Sequence, residues 1–229
     1  MIRSIVGLII VLTLSAVVIS VIPDLSVPVD LPRTGQYYTE HGVEDTGSVN
    51  LVTSVVVAYR GLDTLGEVVV LFSASTAVVL ILTLIPVGSD PTPPSSIVAL
   101  TARVLPAAVV LFGAYVITHG HLSPGGGFPG GAIVASAFLL VMLGSSSVPG
   151  SSKFLASIES LAGVTFGLLG FWGMMVFGQF LNNLVIPQGS PGKIVSAGII
   201  PLVSLAIGAK VASELSSVFA SYRNKGGEA

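Results

Sequence analysis

The sequence predicts an all-α, polytopic integral membrane protein of about six transmembrane helices, arranged as two plus four. Three observations carry that reading: 52% of the 229 residues are hydrophobic against 9% charged, the mean hydropathy is +0.94, and six apolar stretches reach spanning length. A soluble domain has about a quarter of its residues charged, so this chain has too few ionisable groups to cover a wet surface. A formal net charge of −2 with no basic face excludes a nucleic-acid binder. The 27 Gly and 14 Pro sit among long apolar runs, which excludes a disordered or collagen-like chain. With no cysteine, disulfides, iron–sulfur ligation, thiolate zinc sites and thiol nucleophiles are excluded together.

A span needs about 20 mostly apolar residues to cross roughly 30 Å of hydrocarbon. The qualifying stretches lie near 4–22, 66–86, 97–118, 129–147, 154–180 and 194–219. The first could be a cleaved signal peptide, but its apolar core of roughly 18 residues exceeds the usual 7–15 and no A-x-A site precedes Pro23, which favours an anchor. Six crossings put both termini on one side. With the termini cytoplasmic, Arg3, Arg103, Lys153, Lys210, Arg223 and Lys225 fall at or near the inner ends, and Arg33, Arg60 and Lys193 near the outer ends. The 23–50 connection, with Asp24, Asp30, Glu40, Glu44 and Asp45 against Arg33, is then an outer loop, solvated or facing a partner. Leu51 to Tyr59 is apolar but too short to cross and reads as an interfacial or re-entrant helix.

The segment Gly88-Ser-Asp-Pro-Thr-Pro-Pro-Ser-Ser96 cannot continue a helix and divides the chain. The expected organisation is a two-span module at 1–87, a Pro-rich linker at 88–96, a four-span module at 97–220 and a polar tail at 221–229. Neither module repeats the other, which argues against an inverted-repeat transporter within one chain.

Two motifs and two helix faces hold the polar groups. In Arg60-Gly-Leu-Asp-Thr-Leu-Gly-Glu67, Thr64 and Glu67 fit a capping box and Asp63 suits the helix dipole. Alternatively Glu67, facing the apolar run that follows, is a protonatable carboxyl for which Arg60 is the nearest partner. In His119-Gly-His-Leu-Ser-Pro-Gly-Gly-Gly-Phe-Pro-Gly-Gly131, the spacing of Gly125, Gly127 and Gly130 matches a dinucleotide fingerprint. It follows a membrane helix instead of a strand and has no acidic residue at the ribose offset, so the match is accidental. Gly125, Gly126, Gly127, Gly130 and Gly131 instead permit sharp turning and close backbone approach. His119 and His121, two residues apart, face different directions and make a poor metal pair, leaving a hydrogen-bonded loop anchor or a proton relay.

The fifth span carries Ala156, Ser160, Gly163, Gly167 and Gly170 on one stripe, a surface for another helix of this chain or of a partner. Glu159 sits beside it, roughly 9 Å along the helix from Lys153 at a 1.5 Å rise per residue. In the sixth span Lys210 and Glu214 stand at i, i+4, either snorkelling toward the inner surface or belonging to a proton-conducting network. No nucleophile, base and acid can be assembled from these spacings, so no catalysis, metal or cofactor is expected of the chain by itself.

The first motif, with Thr46-Gly-x-x-Asn50 ahead of it, resembles the C-terminal region of the large A subunit of Mrp-type multisubunit Na⁺/H⁺ antiporters and a small homologous subunit of archaeal membrane-bound hydrogenases. The glycine loop, with Ser196-Ala-Gly-x-Ile-Pro-Leu202 and Ile207-Gly-x-Lys-Val211, is similar to the B subunit of the same antiporters. The resemblance implies a fused pair of small membrane subunits in a cation/proton antiporter, or in the membrane arm of a hydrogenase or sulfur-reductase complex. The implied partners are antiporter-like large subunits, small Mrp-type subunits and transported H⁺ or Na⁺. It also implies ionisable roles for Glu67 and Lys210 and loop roles for His119 and His121. Where that family often has an acidic or aromatic residue just before the arginine, this chain reads Ala58-Tyr59 and offers Arg60 no acidic partner there.

Overall fold

The computed structural model describes residues 2–21, 31–84, 93–145 and 152–226. In chain order the helices are α1 (Ile2–Val21), α2 (Arg33–Thr46), α3 (Leu51–Thr53), α4 (Gly61–Leu84), α5 (Ser96–Thr118), α6 (Gly127–Gly144), α7 (Ser152–Phe177) and α8 (Ile200–Gly226). α3 runs on as a π-helical turn over Ser54–Tyr59, and a 3₁₀ turn covers Asn183–Val185. Five of the described helices, α4 to α8, are long and apolar enough to cross a membrane, and α1 adds a shorter apolar stretch, Ile5–Ser20. The all-α membrane fold expected from the sequence is therefore the fold observed.

Residues 1–37 and 38–229 form two compact units. In the first, every side chain from Ile5 to Ser20 on α1 is exposed. An apolar helix bare on all sides suits lipid or another subunit and gains nothing from water.

In the second unit α8 is the central post. α4, α5, α6 and α7 each pack against it, and α5 also packs along α6. Its first half supplies Ile200, Val203, Ala206, Ile207 and Val211, with Ile199 just before it, to a core completed by Val57, Val68, Phe166, Leu169 and Leu181. Lipid tails are as apolar as these side chains, so close van der Waals packing, and not the hydrophobic effect, holds such helices together. The glycines of α6 make that possible: a Cβ at Gly127 would stand 2.6 Å from the Ser204 carbonyl oxygen, and one at Gly131 would stand 2.7 Å from that of Gly208.

Several expectations are corrected. The 23–50 connection is not all loop, because Arg33–Thr46 is helical. Its polar sequence gives no spanning signal, and its far end is fixed by tertiary bonds described below. The second span begins at Gly61 and not near 66. The last begins at Ile200 and not near 194, because Ala197 and Gly198 take φ of 67° and 56° and turn the chain just before it. The short 51–59 piece is helical, as expected, with Thr53, Ser54 and Val57 buried. Residues 85–92, most of the Pro-rich linker, lie outside the described residues.

Gly131→Ala forces a methyl group against Gly208 and Val211 of α8. Overpacking of this kind costs about 1–3 kcal/mol. The thermal midpoint of the purified protein is expected to fall, whereas Gly167→Ala, where a Cβ meets nothing within 4 Å, leaves it unchanged.

Candidate ion-handling site

Near the middle of α8, and not at the inner end of its span as expected from the sequence, an ammonium group is held between helices. Lys210 lies ten residues into the helix, about 15 Å at 1.5 Å per residue, which is about half the hydrocarbon thickness. Its Nζ stands 3.0 Å from Glu214 Oε2 and 3.7 Å from Glu159 Oε1. α8 thus supplies the pair expected from the i, i+4 spacing, and α7 supplies a second carboxylate. α4 completes the site. Ser75 Oγ donates to Glu214 Oε1 at 2.5 Å, and the Phe72 ring centroid lies 5.1 Å from Nζ, within cation–π range.

Lys210 is 7% exposed and Glu214 is 2% exposed. A charge at this depth costs about 2.5–3.5 kcal/mol on insertion scales, and pairing offsets that cost only when the geometry is close. Here one ammonium faces two carboxylates, so the cluster carries a formal excess of one negative charge or one extra proton. Glu214 Oε2 makes no hydrogen bond and is held by the charge of Lys210 alone. Glu159 finds its partner across the helix interface in Lys210, not on its own helix in Lys153. Along the small-residue stripe, Gly163 lies against the Lys210 stem and Gly170 lies under Phe180, while Ala156 and Ser160 are exposed.

The 60–67 motif behaves differently from the expected capping box. Helix α4 starts three residues before Thr64, and the Thr64 hydroxyl donates to the Val56 carbonyl at 2.6 Å instead of capping an amide. The π-helical turn explains this, since widening the turn frees a carbonyl that the buried threonine then satisfies. Arg60 pairs with Asp63 and not with Glu67. Glu67 is exposed on α4 and forms no ion pair among the described residues.

At the end of the unit where α5 joins α6, a polar knot fixes the His119-to-Gly131 loop. Asn50 caps α3 through Val52 N at 3.1 Å. Its Nδ2 donates to the carbonyls of Gly120 and Ser123, both at 2.8 Å. Thr53 Oγ1 donates to the same Gly120 carbonyl at 2.7 Å, and Ser48 Oγ donates to that of His121 at 3.0 Å. Thr46 carries the knot onward: its hydroxyl meets Ser54 Oγ at 2.9 Å, and its carbonyl accepts from Asn183 Nδ2 at 2.6 Å. Tyr59 OH donates to Asp45 Oδ2 at 2.6 Å, and Gln188 donates to the Asp45 carbonyl. Gly126, at φ 127°, holds a backbone conformation closed to most L-residues and turns the loop into α6.

The two loop histidines separate. His119 stacks on Tyr115 with ring centroids 4.2 Å apart and touches the Tyr115 carbonyl through Nδ1 at 3.1 Å. His121 is 1% exposed. Its Nε2 lies 3.3 Å from the Lys193 carbonyl, and its Nδ1 is buried without a hydrogen-bond partner. A neutral ring donating from Nε2 fits this arrangement. Burial pushes its pKa below the ordinary 6.5, only partly opposed by the carbonyls of Lys193 and Ile194, with His119 pushing the same way.

Residues 97–217 match the family described as "Domain related to MnhB subunit of Na+/H+ antiporter", and the chain belongs to that family. It is 39% identical over 117 residues to an uncharacterized protein of Methanocaldococcus jannaschii, covering 48% of this chain and 45% of that one. It is 37% identical over 86 residues to the B subunit of the Na(+)/H(+) antiporter of Alkalihalophilus pseudofirmus, covering 35% of this chain and 58% of that protein. The matches thus span about half the length of these curated relatives.

Among solved structures, a chain of the membrane-bound sulfane sulfur reductase, an archaeal respiratory membrane complex, superposes with a TM-score of 0.80 at 37% identity, covering 96% of this chain and 98% of that one. A chain of the Mrp complex from Dietzia sp. DQ12-45-1b shares the fold with a TM-score of 0.78 at 22% identity, covering 96% of this chain and 26% of that one. The chain is a multi-pass membrane protein.

Because the folded state disfavours protonation of His121, its stabilising effect is complete above pH 6.5 and is lost as pH falls through the lowered value. The thermal midpoint is therefore expected to drop on acidification below pH 6.5. In His121→Gln the acid-dependent part of that drop disappears.

Proposed function

We propose that this chain is a membrane subunit of a multisubunit Na⁺/H⁺ antiporter-type module, in which it helps to form the ion-translocation path. The observation that carries the reading is the buried Lys210–Glu214–Glu159 cluster, three ionisable groups kept inside hydrocarbon where a structural helix contact needs none. Two carboxylates against one ammonium leave the cluster room for one further positive charge. Proton exchange is thus the simplest chemistry the cluster supports. Glu67, exposed on α4, is positioned to meet a group from a neighbouring subunit. The bare apolar surfaces of α1 and α4 also call for neighbours.

The proposed partners are antiporter-like large subunits and small Mrp-type subunits, with H⁺, and Na⁺ elsewhere in the module, as transported ions. The termini are assigned to the cytoplasmic side by the distribution of lysine and arginine. The chain is proposed to comprise a two-span module before residue 88 and a four-span module from 97 to 220. A second reading, a purely structural subunit in the membrane arm of a respiratory complex, draws on the near-complete mutual coverage with the sulfur-reductase chain. Under that reading the cluster only pairs helices.

Glu159→Gln and Glu67→Gln separate the two readings. Lys210 keeps Glu214 in the first variant, and Glu67 has no ion pair to lose in the second, so the parent complex should assemble normally. Under the translocation reading, coupled transport in vesicles falls by about 100-fold, the lower end for a lost positioned proton-transfer group. Unchanged transport in both variants assigns these carboxylates to packing.

A further inference from the structure

We propose that a groove in the second unit binds one anionic phospholipid, with its hydrocarbon tail seated among α5, α6, α7 and α8 and its phosphate at the membrane face where α8 ends.

The groove follows from the packing. α6 and α7 both pack on α8 but not along each other, and the cleft left between them has a volume of about 460 Å³, within the about 300–1,000 Å³ of ligand sites. Pro106 of α5, Phe138 of α6, Ile158 of α7 and Ala209 and Ala212 of α8 line it. Of its two side-chain hydroxyls, on Ser213 and Ser216, the first donates to the Ala209 carbonyl at 2.8 Å, so the walls are apolar almost throughout. From Ala209 to Ser216 the groove runs about 10 Å at 1.5 Å per residue, which gives it a cross-section of about 45 Å². A helix 10 Å across needs about 80 Å². The space takes hydrocarbon chains and is too narrow to seat a helix. Its depth matches one leaflet: Ala209 precedes Lys210, near the middle of the bilayer, and Ser216 lies toward the end of α8, so the groove covers most of the about 15 Å of hydrocarbon in that leaflet.

Charge selects the headgroup. Arg103 is exposed on α5 one turn before Pro106, and its neighbour Ala102 packs against Gly144 at the end of α6. Arg223 reaches the same end of α6, where it donates to the Met142 and Ser145 carbonyls at 2.7 and 2.6 Å. That uses two of the five N–H donors of a guanidinium and leaves donors for a phosphate. Lys153, also exposed, is the second residue of α7. Three of the four helices that line the groove thus bring a cation to its mouth, and among the described residues that end of the unit has no Asp or Glu. The opposite end carries Asp45, Asp63 and Glu67. A basic rim around an apolar cleft between membrane helices is complementary to an anionic lipid and to neither a neutral lipid nor a free anion.

The test uses the parent complex in vesicles of phosphatidylglycerol and phosphatidylcholine in equal parts, with a trace of either lipid carrying a diazirine at the end of one acyl chain. On illumination the phosphatidylglycerol probe should label this chain at the deep end of the groove, around Val134 and Ala209, and the phosphatidylcholine probe should label it there several-fold less. Arg103→Gln leaves the apolar walls intact and should lower the deep label from phosphatidylglycerol about fivefold, the worth of one basic residue near a membrane surface. Ala212→Phe fills the groove and should remove the deep label while the exposed apolar face of α4 is labelled as before. Should that variant fail to assemble, the comparison of the two lipids and Arg103→Gln decide the matter. Equal deep labelling by both lipids, no change in Arg103→Gln, a deep label that survives Ala212→Phe, or no deep label at all, as when a neighbouring subunit covers the groove, would each overturn the proposal.

Discussion

An ammonium group near the middle of a bilayer sets the terms for the rest of this structure. Lys210 is tolerable there only because Glu214 lies one turn away on the same helix and Glu159 reaches it from α7. Two carboxylates against one ammonium leave the site short of a proton or of a further positive group. Ser75 from α4 supplies the one hydroxyl donor that Glu214 receives. Three helices are therefore bound to one register by a contact that none can abandon without exposing a charge to hydrocarbon.

That contact requires α8 to be surrounded, and the glycine positions of α6 provide for it. Gly127 and Gly131 place the α6 backbone directly against Ser204 and Gly208, which leaves the opposite side of α8 to α4 and α7. The knot around Asn50 then holds the α5–α6 loop to the segment preceding α4. Neutral hydrogen bonds join residues 70 apart in sequence at one end of the unit, and an ion pair joins Glu159 of α7 to Lys210 of α8 in the middle. The two kinds of contact divide the labour: the knot fixes position through neutral hydrogen bonds, while the cluster joins its helices through charge.

The membrane class, the spans and the Lys210–Glu214 pair were legible in the sequence because each follows from local spacing: apolar run length for the spans, i, i+4 for the pair. Glu159 was visible as a costly charge, but its partner was not. Helix proximity points to Lys153, and only the register of α7 on α8 selects Lys210. Ser75 and Phe72 carry no pattern that separates them from other residues of an apolar helix. Helix α2 was hidden because it is polar and lacks spanning character, and its anchors, Asn183 and Gln188, come from the far side of the sequence. The motif at 60–67 suggested a cap because Thr-x-x-Glu is a local signature. The π-helical turn before it shifts the helix start and gives Thr64 a different acceptor. The glycine loop announced close approach without naming α8 as the helix approached.

The central claim is that Lys210 and Glu214 are energetically one unit. A double-mutant cycle on the assembled complex tests it, with Lys210→Met, Glu214→Gln and the double variant compared by thermal or denaturant stability. Breaking a buried pair from one side costs about 3–5 kcal/mol, whereas neutralising both partners costs much less. The expected result is therefore a double variant more stable than the Lys210→Met variant, with a coupling energy of about 1–3 kcal/mol. Strict additivity, with the double variant as unstable as the sum of the two single changes, would contradict the account.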